Sequence, residues 1–170
     1  VNLFKIVLLI VMGTVFFVAC GTSEETSRTG EGGDPSNEGE ESAAEVIIED
    51  LIFTLGTEII GNELHIEMLL KNESDSDKEL EFSSGQQYDI FIKDPEGNKL
   101  YHYAEEMMFT QALIYETIGS GETLIFEEVW ESEEIHDLDY LEVEAQLLPS
   151  TIDGNIFDNE FQIVKTISSE

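Results

Sequence analysis

Residues 141–147 read Leu-Glu-Val-Glu-Ala-Gln-Leu, with apolar side chains at the odd positions and polar ones at the even positions. Successive side chains of a strand point to opposite faces, so this pattern makes one face apolar and the other wet. A helix would scatter the same residues around its circumference, so the segment predicts a half-buried β-strand. The signature recurs on either side. Leu64, Ile66, Met68 and Leu70 alternate with His65, Glu67 and Leu69, and Tyr88, Ile90 and Ile92 alternate with Asp89, Phe91 and Lys93. Leu124, Phe126 and Glu128 oppose Ile125, Glu127 and Val129, and Phe161 and Ile163 carry the pattern toward Lys165. Val46, Ile48, Leu51, Phe53 and Leu55 read as near-alternation with one slip.

Turn-forming residues separate these runs. Asp94-Pro95-Glu96-Gly97-Asn98 combines a proline that presets φ with residues that tolerate positive φ. Ile60-Gly61-Asn62, Gly119-Ser120-Gly121 and Asp153-Gly154-Asn155 have the same character. About seven to nine short strands, with turns roughly every ten residues, predict an all-β, immunoglobulin-like antiparallel β-sandwich. The chain has 170 residues, which suits one such domain. With Cys20 as its single cysteine, it has no internal disulfide to rely on.

Charge narrows the function. Seven Lys and Arg against 38 Asp and Glu give a formal charge of −31. Such a surface repels the phosphates of nucleic acid, so no nucleic-acid partner is expected. Hydrophobic content of 41 %, with 10 Phe and 5 Tyr, still supplies a core, so the acidity alone does not signal disorder.

The N-terminus has a different character. Lys5 precedes an apolar run from Ile6 to Ala19, shorter than the about 20 residues of a membrane-spanning helix. A positive start, a short apolar stretch and a small residue at its end predict a secretory signal over 1–19. The run closes on Phe17-Val18-Ala19-Cys20-Gly21, which resembles the bacterial lipobox. That resemblance implies cleavage before Cys20 and a diacylglyceryl group on its sulfur. The lipid bilayer then becomes a partner through Cys20, and the chain lies at the extracytoplasmic face of the cell membrane. Residues 20–44 form the lipidated cysteine and an acidic linker of Gly, Ser, Thr, Glu and Asp without a large apolar side chain. Such a segment cannot offset its ordering entropy by burial, so a disordered tether of roughly 25–30 Å mean reach is expected. The domain is expected over 45–170.

Residues 79–131 carry a second resemblance. The pieces are Phe82-Ser83-Ser84-Gly85-Gln86 with Tyr88-Asp89, then Asp94 and Gly97. Met107-Met108-Phe109-Thr110-Gln111-Ala112-Leu113, Gly121-Glu122 and Trp130 follow in order. Together they resemble the BsuPI family, the intracellular proteinase inhibitor domain. Tyr101–Glu106 departs from the tryptophans and Asp-Gly turn that family members often carry there. The resemblance implies a single β-sandwich that binds, and blocks, a subtilisin-like serine protease without being an enzyme itself. The alternative is a non-inhibitory binding or adhesion module on the same lipid anchor, with another envelope protein as partner.

Two segments are candidates for partner binding. Met107, Met108 and Phe109, continuing through Thr110 and Gln111, offer an apolar edge suited to a subtilisin-like cleft. The competing reading makes them core filler, the usual role of Met and Phe in a sandwich. Ser83, Ser84 and Gln86 form a second candidate loop, whose plain reading is a polar turn. No cofactor, metal or catalytic residue is expected. His65, His102 and His136 lie in separate segments, and His136 with Asp137 and Asp139 lacks a diagnostic metal spacing. Asn72–Glu79 resembles a calcium loop only superficially, because Leu80 stands where such a loop needs glycine.

Overall fold

The computed structural model describes residues 44–169. The signal segment 1–19, Cys20 and nearly all of the 20–44 linker lie outside the described residues. Among the described residues there are twelve strands, all antiparallel in their pairing.

The first layer is a four-stranded sheet in the order β1-β2-β3-β8. Its strands are β1 (Ala44–Ile48), β2 (Leu51–Ile60), β3 (Glu63–Asn72) and β8 (Thr123–Glu131). The slip in the first apolar run is a tight turn. Ile48 pairs with Leu51, and Glu49 between them takes a φ of +54°. One broken strand in the sequence is therefore two strands in the fold. Gly61, with a φ of +61°, turns β2 into β3 at the pair Ile60 and Glu63.

The second layer has two halves. One runs β12-β9-β5-β6, with β12 (Phe161–Ser168), β9 (Tyr140–Leu147), β5 (Tyr88–Lys93) and β6 (Lys99–His102). The other runs β11-β10-β4-β7, with β11 (Asn155–Ile156), β10 (Thr151–Ile152), β4 (Lys78–Phe82) and β7 (Ile114–Ile118). Tyr88 pairs with Leu147 in the first half, and Glu81 pairs with Thr151 in the second. Chain segments β4–β5 and β9–β10 thus run side by side through both halves and break together at 83–87 and 148–150. The break is bridged where the Leu148 amide donates to the Gln87 carbonyl at 2.9 Å and the Ser150 amide to that of Glu81 at 2.7 Å.

Period-two alternation decides what is inside. Phe53, Leu55, Leu64, Ile66, Met68 and Leu70 face inward from the first layer, and Leu80, Phe82, Ile90, Ile92, Leu141, Val143, Leu147 and Phe161 meet them from the second. Phe53 and Phe161 touch edge to face across the layers, with centroids 6.1 Å apart. Burying each large apolar side chain contributes about 1.5–3 kcal/mol. The fold is the all-β sandwich that the alternation implies. The strand count exceeds the expected seven to nine because β4, β6, β7, β10 and β11 have five residues or fewer. Over so short a span, period two is hard to tell from chance.

Candidate functional site

The topology brings the two candidate segments together. The chain leaves β4 at Phe82, crosses through 83–87 to β5, returns along β6, and crosses back through 103–113 to β7. Because Phe82 pairs with Ile114, the start of the first crossover lies beside the end of the second. Their contact is direct: the Gly85 amide donates to the Thr110 carbonyl at 2.9 Å. A Cβ on residue 85 would stand 2.8 Å from Thr110 Oγ1 and 3.3 Å from its amide nitrogen. Glycine therefore lets the two crossovers approach without pressing a side chain on Thr110. Within the first crossover the Gln86 amide donates to Ser84 Oγ at 3.1 Å, a local turn bond, while Ser83 is exposed. The polar-turn reading of this loop holds, and the turn also serves as the seat of its neighbour.

The second crossover begins with a four-residue helix, α1 (Tyr103–Glu106), leaves it in an extended conformation at Met107 and bends at 111–112 before β7. Met107 and Met108 are exposed, Met108 fully. The core-filler reading therefore fails for both methionines, since no strand pairs with this segment to fold its side chains inward. Phe109 is half-buried, and Thr110, Gln111, Ala112 and Leu113 are exposed. Met107, Met108 and Leu113 are the large apolar side chains this crossover leaves in solvent, its apolar crest, and Tyr115 is half-exposed on β7 just beyond them.

An aromatic ladder ties this crest to the core. Phe109 lies on Tyr103 with ring centroids 5.7 Å apart, Tyr103 stacks on Tyr88 at 4.5 Å, and Tyr88 meets Phe126 of β8 at 5.2 Å. Such contacts add about 0.5–1.5 kcal/mol each beyond area burial. The hydroxyls of Tyr88 and Tyr101 both donate to Glu128, at 3.3 and 3.5 Å. Burial, then the nearby Glu128 carboxylate, pushes the Tyr101 hydroxyl up to about 12, and burial raises Tyr88 further. Both remain neutral donors at any ordinary pH.

A polar brace holds α1 from the other side. Asp89 Oδ1 accepts from the Ala104 amide at 3.3 Å, and Asp89 Oδ2 lies 3.0 Å from His102 Nε2. His102 Nδ1 lies 3.2 Å from Glu105, which also takes the Lys99 ammonium. The His102 ring stacks on Phe91 at 4.0 Å. Burial lowers the His102 pKa, but the carboxylates of Asp89 and Glu105 outweigh it, and the net shift is upward. Lys99 and then His102 hold Glu105 below the usual carboxylate range.

The remaining histidines and the acidic loop lie elsewhere. His65 faces outward on β3 and contacts Glu63 at 3.0 Å. His136 sits between the carbonyls of Gly61 and Ser169, at 2.9 and 3.1 Å. The 72–79 loop is organised by Asn72, which is buried. Its Nδ2 donates to the carbonyls of Ser76 and Ile118 at 2.8 and 2.9 Å, and its Oδ1 accepts from the Ser74 hydroxyl at 2.7 Å.

The fold is an antiparallel sandwich with an apolar crest on the second of two mutually bonded crossovers. Its sequence specifies the kind: residues 51–149 match the family model BsuPI, intracellular proteinase inhibitor. That span is more than half of the chain, and the chain belongs to this family. A proteinase-inhibitor domain acts by binding rather than by catalysis, with a protease as its general partner. No curated protein sequence matches the chain. Among solved structures, the X-ray structure of Northeast Structural Genomics Consortium target SoR45 is 10 % identical, with a TM-score of 0.42. The similarity covers 72 % of this chain and 87 % of that one.

Proposed function

We propose that the domain inhibits a subtilisin-like serine protease by seating Met107 and Met108 in the protease cleft, with Phe109 beside them as the anchor to the domain. The observation that carries this reading is an exposed Met107–Met108 pair on a segment pinned next to it. The Gly85–Thr110 bond and the Phe109–Tyr103–Tyr88 stack supply the pins. A segment already held in one conformation loses little freedom on binding, which favours tight association and resists cleavage. Ser83, Ser84 and Gln86 act as the seat, and Thr110 and Gln111 flank the contact. Titrating a subtilisin-like protease with the purified protein tests the reading. Activity falls stoichiometrically if it is right; rapid digestion of the domain, with activity retained across several such proteases, contradicts it.

Cys20 supports a second part of the proposal, that the domain is lipid-anchored at the extracytoplasmic face. The support is the sequence Phe17-Val18-Ala19-Cys20-Gly21 after a short apolar run. Two acyl chains hold a protein firmly to a bilayer, where one holds it marginally. The target protease would then act in the envelope or the medium. Cys20→Ala is expected to abolish lipid labelling and membrane association; unchanged fractionation overturns the anchor.

A further inference from the structure

The first sheet ends on β8, and this edge differs from the others. One side of β8 pairs with β3 from Glu63–Glu131 to Lys71–Thr123; the other has no strand partner among the described residues. At nine residues it is long for an open edge. The free edges of β6, β7 and β11 have four, five and two residues. β1 and β12, at the remaining edges, adjoin each other. The core is also unfinished along β8. Leu64, Met68 and Leu70 on β3 are buried, yet their cross-strand neighbours Trp130, Phe126 and Leu124 are only half-buried.

We propose that the free edge of β8 is a docking site for an extended, basic segment of a partner protein, added to the sheet as a further strand. A row of unpaired backbone donors and acceptors is matched by another extended backbone. Charge selects the occupant. The outer face of β8 carries Glu127 and Glu131, which lie directly beside Glu67 and Glu63 of β3. An open trough of about 530 Å³ continues this acidic face inward over Gly56, past Glu58 and Glu67. A second copy of the chain would set carboxylate against carboxylate, in a molecule whose formal charge is already −31. A strand with Lys or Arg at alternate positions places those cations beside Glu127 and Glu131. Their methylene stems cover the exposed Ile125 and Val129. The intervening apolar residues of that strand face inward and cover Leu124, Phe126 and Trp130, on either side of Glu128, whose carboxylate Tyr88 and Tyr101 already hold.

The test uses the whole chain and two capped peptides, one of Lys-Val repeats and one of Glu-Val repeats. Binding is followed by calorimetry and by amide hydrogen exchange. The Lys-Val peptide is expected to bind, to weaken with added salt, and to slow exchange across residues 123–131. Glu127→Lys with Glu131→Lys is expected to lower its affinity by at least about tenfold and to let the Glu-Val peptide bind instead. Glu127→Gln with Glu131→Gln, which keeps side-chain shape, weakens Lys-Val binding in the same direction. Absence of Lys-Val binding, equal binding of the two peptides, or protection confined to other strands overturns the proposal. Met108→Ala leaves peptide binding unchanged, so the outcome is independent of protease inhibition.

Discussion

Between residues 64 and 70, β3 buries Leu64, Ile66, Met68 and Leu70, whereas between 107 and 113 the chain leaves Met107, Met108 and Leu113 in solvent. The two segments are similarly apolar. What separates them is pairing. β3 has a strand on either side, and the pleat sends alternate side chains into the core. The 107–113 segment has no strand partner to impose that alternation, and a single backbone bond to Gly85 and one aromatic anchor fix its path. Apolar content therefore says how much a segment gains from burial, and pairing says whether burial happens. An apolar segment held outside the core is available to a partner.

The largest effect should come from the paired region. Phe53→Ala removes a fully buried ring that meets Phe161 across the layers, and a loss of about 3–5 kcal/mol is expected in urea denaturation. Below about 1.5 kcal/mol, the two layers would not be packed as described, because that is the cost of a mild, volume-conserving change. Gly85→Ala comes next. Its methyl group would press on Thr110, so a cost of about 1–3 kcal/mol is expected, with weaker inhibition. An unchanged inhibition constant would show that the seat does not position the crest.

The smallest effect is the pH dependence of the brace on α1. The folded-state pKa of His102 is raised, so its contribution is complete below the ordinary imidazole value of about 6.5 and is lost as pH rises through the folded value. The Ala104 amide, which donates to Asp89, should therefore exchange faster above that transition than the intrinsic pH trend requires. His102→Phe, which keeps the stack on Phe91, should remove the pH dependence.

How much was readable in advance follows the same division. β3 and β9 show in the sequence because each alternates over eight or more residues, and the 94–98 turn because proline and glycine punctuate it. Gly97, at a φ of +83°, and Asp153-Gly154, at +51° and +74°, adopt the left-handed conformations such turns need. β4 and β7 are five residues each, too short for period-two alternation to stand out, so they pass for loops. The slip at Glu49-Asp50 contains no glycine to mark it as a turn. Asn72 looks like one more polar residue of an acidic loop, although its amide bonds residues 46 positions away. The site was legible as residue types and illegible as an assembly. Nothing local to Gly85 names Thr110 as its neighbour, and nothing local to Tyr88 names Tyr103. For Met107 and Met108, composition favoured the interior, and only the missing strand partner reverses that.

The central claim is that the crest acts through its exposed apolar side chains while the scaffold carries stability. Replacing Met107 and Met108 together by Glu, then measuring urea unfolding and inhibition of a subtilisin-like protease on the same sample, tests it most directly. The account predicts an unchanged unfolding midpoint with inhibition lost by at least about a hundredfold, as expected when anchors at the centre of an interface are removed. Full inhibition by this variant, or lost inhibition accompanied by a fall in the unfolding midpoint, would contradict it.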